Sequence, residues 1–255
     1  MRIKGQHFLK DERVLQRIVK YAQVGKRDVV LEIGAGKGNL TRALAAKAKQ
    51  VYAIELDKKL ASELRMEFAG KNVVVIEGNA LKLDFPEFSK VVANLPYYIS
   101  SNLTFKLLRH KFKLGVLMYQ KEFAERMIAS PSSESYGRLS VTAQHYAEIE
   151  ILEIVPKSAF QPVPEVDSAI VRLKLRKPSY EVKDEGFFLK LVTACFAQRR
   201  KKLKNAILKA ANSLELNRMA LEEAIKESSL WNKRAEELSP AMFALLANEL
   251  IKYRE

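Results

Sequence analysis

Four apolar runs in the first half of the chain are unbroken rather than alternating, and each ends in a polar or glycine-rich tip. They are "DVVLEIGAGKGN" (28–39), "VYAIELD" (51–57), "NVVVIEGNA" (72–80) and "KVVANLPYY" (90–98). Helical composition fills "LTRALAAKAKQ" and "KKLASELRMEFAG" between the first three, a Ser-capped helix over "SSNLTFKLLRH" follows the fourth, and "KLGVLMYQ" (113–120) reads as a fifth strand. A strand with no polar face must be covered on both sides, so the pattern predicts an α/β fold with a mostly parallel, Rossmann-like sheet between helices. In such a sheet the strand tips share one edge, which is where open α/β sheets bind ligands.

The pattern changes after about residue 130. "RLSVTAQHYA" reads as a helix. "EIEILEIVP" and "DSAIVRLKLRK" are strands with no helix-sized segment between them, so an antiparallel pair is expected at the sheet's edge, joined by "PKSAFQPVPEV". Beyond residue 178 only helical segments remain. The expected organisation is a sheet-bearing domain over 1–178 and a small all-helical C-terminal domain over 179–255, with Cys195 and Trp231 in the helical core.

At the first tip, Gly34, Gly36 and Gly38 permit backbone torsions and close approaches that side chains forbid. Their G-x-G-x-G spacing departs from the dinucleotide fingerprint, and no Gly-Lys-Ser/Thr follows as a phosphate loop requires. Glu55 ends the second strand about 20 residues on, where an acid can accept from both ribose hydroxyls. Asn79 ends the third and can bond an adenine edge. No Lys or Arg is committed to a pyrophosphate, so the ligand that fits is a nucleoside without phosphates, and S-adenosylmethionine meets that description.

The fourth tip, Asn94-Leu95-Pro96-Tyr97, then lies beside a methyl donor. An exocyclic amine on a base is a weak nucleophile because its lone pair is delocalised into the ring. Acceptors at its two N–H groups, the Asn94 side-chain oxygen and the Leu95 carbonyl, favour a more tetrahedral nitrogen. Pro96 sets the turn and Tyr97 offers a stacking face. A glutamine amide is an alternative target, but 44 Lys+Arg against 30 Asp+Glu, a net charge of +14, favours nucleic acid. Such a base must leave its stack, so the substrate is single-stranded, looped or flipped.

A single cysteine excludes an internal disulfide, no apolar run has transmembrane length, and the three His have no metal-ligand spacing, so a cytoplasmic protein without a metal site is expected. Basic residues gather in "RHKFK" (Arg109, Lys111), in "RRKKLK" (Arg199, Arg200, Lys201, Lys202) and near the N-terminus (Arg2, Lys4), and are candidate RNA contacts.

In order along the chain, "GQHFL", "EIGAGKGNLT", "IELD", "GNA", "NLPYYIS", "YGRLSV", "PKSAFQPVPEVDSAIVRL" and "FAQRRKKLKNAIL" resemble the small-subunit ribosomal RNA adenine N6-dimethyltransferase family. The resemblance implies a class I methyltransferase fold and methyl transfer from S-adenosylmethionine to N6 of two adjacent adenines near the 3′ end of small-subunit rRNA. The implied partner is the immature small subunit, and the chain is expected to be a monomer. By matching position, His7 and Leu9 help close the cofactor pocket, Gly34 and Gly36 lie against the cofactor, Glu55 holds the ribose, and Asn79 with Ala80 meets the adenine. Asn94 stands at the transfer point, and Tyr97 and Phe160 sandwich the target base. Two positions depart from the family pattern: Asn79 stands where Asp is usual, and His7 where Asn is. Two other readings are an RNA-binding assembly factor with little turnover and a resistance-type methylase of large-subunit rRNA.

Overall fold

The computed structural model describes residues 7–224 and 229–254, so Arg2, Lys4 and part of the sequence "RMALEEAIKES" (218–228), which also reads as a helix, lie outside the described residues. The chain divides into two compact units, Met1–Glu125 with Ala147–Arg176, and Arg126–Tyr146 with Lys177–Glu255.

The first unit opens with β1 (Phe8–Leu9) and α1 (Glu12–Tyr21). The Asp11 side chain caps α1 by accepting from the Arg13 N–H, and Val14, Leu15, Ile18 and Val19 form its buried stripe at helical spacing. Then come β2 (Val29–Ile33), α2 (Asn39–Ala45), β3 (Gln50–Glu55), α3 (Lys58–Glu67), β4 (Val73–Glu77), β5 (Lys90–Asn94), α4 (Ser100–Leu107) and β6 (Leu114–Gln120). Helix α5 (Lys121–Ile128) carries the chain into the second unit, and β7 (Ala147–Val155), β8 (Phe160–Gln161) and β9 (Ser168–Leu175) complete the first.

The main sheet has the order β4-β3-β2-β5-β6-β9-β7. The five strands from β4 to β6 run parallel, and their central residues (Val30, Leu31, Val91, Val92, Val116, Leu117) are wholly buried, as unbroken apolar runs require. β9 pairs antiparallel with both β6 and β7. The expected hairpin is therefore present, but its antiparallel strand is β9, one place in from the edge, while β7 at the edge runs with the parallel core.

From β2 the chain builds outward through β3 and β4, then returns to place β5 on the other side of β2. The tips of β2 and β5 thus flank the point where strand order reverses, the place at which a crevice opens in an α/β sheet. A second, two-stranded sheet pairs β1 with β8, Phe8 opposite Gln161 and Leu9 opposite Phe160, and fastens the start of the chain to the connector before β9.

In the second unit, α6 (Arg138–Tyr146), α7 (Glu185–Ala197), α8 (Leu203–Ala210), α9 (Arg218–Ala224) and α10 (Pro240–Leu250) surround one apolar core that includes Phe188, Leu191, Cys195, Trp231 and Phe243. Residues 126–146, expected in the first domain, belong here because Tyr136 and Val141 are buried in that same core. Helical composition reveals that α6 has an apolar face. It does not reveal which core receives it.

Candidate active site

The tips of β2, β3, β4 and β5 open into one cavity. Of the residues expected at the site, His7, Leu9, Gly34, Gly36, Glu55, Asn79, Ala80, Asn94, Leu95, Pro96 and Tyr97 all line it. Gly34, Gly36 and Gly38 have φ of 78°, 58° and 77°, the left-handed region that favours glycine. At Gly34 a Cβ would meet Pro96 Cδ at 3.4 Å, so the glycine turn and the fourth strand tip abut directly. At Gly36 it would meet the Phe8 ring at 3.0 Å: Phe8, held by β1, covers the loop.

Two backbone donors fix the Glu55 carboxylate. Oε2 accepts from the Gly36 N–H at 2.7 Å and Oε1 from the Asp57 N–H at 2.8 Å. A carboxylate has about four lone-pair sites, so each oxygen retains one acceptor position. Asn79 Oδ1 accepts from the Leu81 N–H at 2.9 Å. That bond settles which end of the amide faces its own turn and leaves Nδ2 as a donor group without a hydrogen-bond partner among the described residues. From the far side, Lys106 of α4 donates to the carbonyl oxygens of Ala80 (2.9 Å) and Leu83, bracing the segment after Asn79. Nothing in the spacing of α4 marks that Lys.

The Asn94 amide is oriented in the same way. Nδ2 donates to the His7 carbonyl at 3.4 Å, which directs Oδ1 away from that partner as an acceptor. The His7 ring bonds the Pro162 carbonyl through Nδ1 at 2.8 Å and stacks on Tyr97 with centroids 5.8 Å apart. The Tyr97 hydroxyl hydrogen-bonds Ser168 Oγ at 2.6 Å, so this ring is held at face and edge.

Glu32, two residues before Gly34, was not among the expected site residues. It lines the cavity, is 1% exposed, and its Oε2 has no hydrogen-bond partner among the described residues. Burial pushes its carboxyl up to about 8, against the nearby Thr41 hydroxyl, which favours the charged form, and with the Glu55 charge adding a smaller push upward. A buried carboxyl in the wall of a cavity, with one oxygen unpartnered among the described residues, is the feature a cationic ligand would complete. The position of an acid just before a glycine turn was the available signal.

Two expectations need correction. Phe160 does not line the cavity. It is 0% exposed and packed in the core with Leu9 and Ala159, because the β1–β8 pairing turns its ring inward. In this conformation it offers no face to a base, and Tyr97 stacks on His7 instead. Arg199 is not free for phosphate: its guanidinium bonds Glu236 at 2.7 Å and the Glu134 carbonyl at 2.7 Å within the second unit. Arg200, Lys201 and Lys202 are exposed in that unit, and Arg109 and Lys111 are exposed after α4 in the first and are not among the residues that line the cavity.

The seven-stranded sheet, with its order reversing between β2 and β5 and β9 antiparallel, is that of a class I methyltransferase, as similar solved structures show. A dimethyladenosine transferase from Plasmodium falciparum superposes with a TM-score of 0.83 at 33% identity, over 96% of this chain and 98% of that one. The 23S rRNA methyltransferase ErmE does so at 0.68 and 29%, over 96% and 99%. The family model for ribosomal RNA adenine dimethylase matches residues 2–251, and the chain belongs to that family. It is 54% identical over 253 residues to the probable ribosomal RNA small subunit methyltransferase A of Methanosarcina mazei, covering 96% of this chain and 93% of that one. It is 49% identical over 247 residues to the protein of the same name from Halobacterium salinarum, covering 95% and 87%.

Proposed function

We propose that this protein uses S-adenosylmethionine to methylate N6 of two adjacent adenines near the 3′ end of small-subunit rRNA, twice each, on the immature subunit in the cytoplasm. The observation that carries the reading is the Asn94 amide: it lines the cavity, its nitrogen donates to the His7 carbonyl, and its backbone oxygen and Pro96 abut the glycine turn, so the side-chain oxygen remains as an acceptor. The family and the names of the relatives support rRNA adenine as substrate.

The donor set fits the cofactor. The two remaining acceptor positions of Glu55 suit a ribose diol, Asn79 Nδ2 suits an adenine ring nitrogen, and the orphaned oxygen of Glu32 suits a cationic group. When bound, S-adenosylmethionine supplies an electrophilic methyl carbon. The chain's part is to present the amine. Asn94 Oδ1 and the Leu95 carbonyl accept its two N–H groups, which localises the nitrogen lone pair, and Tyr97 holds the ring plane. No side chain has to act as a base beforehand, because the amine becomes acidic only once alkylated. Arg200, Lys201 and Lys202, with Arg109 and Lys111, would supply phosphate contacts.

Asn79→Ala removes both the Leu81 turn bond and the adenine donor. It is expected to weaken cofactor affinity about tenfold, the worth of one to two net hydrogen bonds, read by titration calorimetry. The reading as a whole is tested by incubating purified protein with undermethylated small subunits and labelled methyl donor, then mapping rRNA fragments by mass spectrometry. Dimethyladenosine at two adjacent 3′ adenines is the expected result. Label confined to large-subunit rRNA, or binding without label, would replace this reading with the resistance-type or assembly-factor alternative.

A further inference from the structure

Tyr98 has no task within the fold. It is 57% exposed although aromatic, it lines the cavity, and no hydrogen bond or ring contact of its side chain occurs among the described residues. It sits in the single 3-10 turn Tyr97–Ile99 that follows Pro96. Side chains in such a turn are spaced three to the turn, so successive ones point about 120° apart. Tyr97 is held by Ser168 and His7, while Tyr98, about 120° round the turn, lines the same cavity and is more than half exposed.

We propose that Tyr98 is the stacking platform for the nucleotide next to the target base in the RNA strand, and so a residue that determines substrate context. This rests on the reading of the site as an rRNA adenine methyltransferase. A base that leaves its stack to enter the cavity strips one face from its neighbour. An aromatic ring placed one residue beyond the target's own platform replaces that lost stacking. Tyr97 cannot serve both bases, since one of its faces is covered by His7 and its hydroxyl is tethered. Base–aromatic stacking tolerates any base because every base has a π-face. The subsite would therefore demand that a neighbour be present without specifying which one.

The test uses the full chain and undermethylated small subunits assembled on rRNA carrying the target, either intact or with one abasic site beside it. For wild type, the abasic site next to the target is expected to raise KM for RNA about tenfold with kcat little changed, at the lower end of measured stacking losses. Tyr98→Ala is expected to raise KM on intact RNA by the same factor and to show no further loss on abasic RNA. Tyr98→Phe, which keeps the ring, keeps the sensitivity. A 2-aminopurine at the neighbouring position reports stacking directly, quenched with wild type and brighter with Tyr98→Ala, whatever the turnover. Full sensitivity to the abasic site in Tyr98→Ala, or unchanged 2-aminopurine emission, overturns the assignment. Failure of wild type to methylate intact RNA would instead remove the underlying reading of the site.

Discussion

Replacing Asn94 by Ala is expected to slow methyl transfer about 10²–10³-fold, the usual cost of removing one preorganised polar partner from a reacting group. The residue lies at the end of β5, and its amide nitrogen donates to the His7 carbonyl at 3.4 Å, which in the proposed role would hold the amide in place before a base arrives. Its interaction strengthens as the amine nitrogen becomes tetrahedral, so the loss should fall on the single-turnover rate. Cofactor affinity should change little by comparison. Asn94→Asp keeps an acceptor of the same shape and should retain more activity than Asn94→Ala. A rate for Asn94→Ala within tenfold of wild type in single-turnover methylation would remove Asn94 from this role.

Glu32 should make the stability of the ligand-free protein fall as pH rises. Its folded-state value is raised to about 8 from an ordinary 4.5. Below pH 4.5 the carboxyl is neutral in both states and costs nothing. Between 4.5 and 8 the unfolded chain ionises while the folded one holds its proton, and stability drops by up to 1.4 kcal/mol per pH unit, reaching about 5 kcal/mol as an upper bound above pH 8. Glu32→Gln mimics the neutral form, so urea unfolding of the two proteins should give stability curves that diverge across this window, with the variant the more stable at high pH. Parallel curves from pH 5 to 8.5 would show that the carboxyl is ordinary. If the cavity takes a cationic cofactor, binding near pH 7 should also release close to one proton. Calorimetry in two buffers of different ionisation enthalpy would detect that release, and Glu32→Gln should abolish it.

The strand tips were legible because two local signals coincide. An unbroken apolar run requires burial on both faces, and the residues that end it cannot continue the strand. Gly34, Glu55, Asn79 and Asn94 could therefore be assigned to one edge of a parallel sheet, and all four line one cavity. Phe160 was not legible in this way. Its neighbours carry no period, and its burial depends on pairing with Leu9, some 150 residues earlier. Arg199 looks like its basic neighbours in the sequence, and only the partners at Glu236 and Glu134 distinguish it.

What the order of residues determined by itself is the parallel core, the gathering of glycine and polar residues at the strand tips and the helical character of the C-terminal part. These follow from short-range pattern: strand and helix periodicity, glycine's access to positive φ, and the donors and acceptors each side chain carries. Tertiary structure decided the rest, namely that the Asn94 amide nitrogen is tied to the His7 carbonyl, that Glu32 has an oxygen without a hydrogen-bond partner among the described residues, and that 126–146 joins the helical unit. Each of those depends on a partner far along the chain, and orientation, burial and charge state are properties of the space between elements rather than of any one of them.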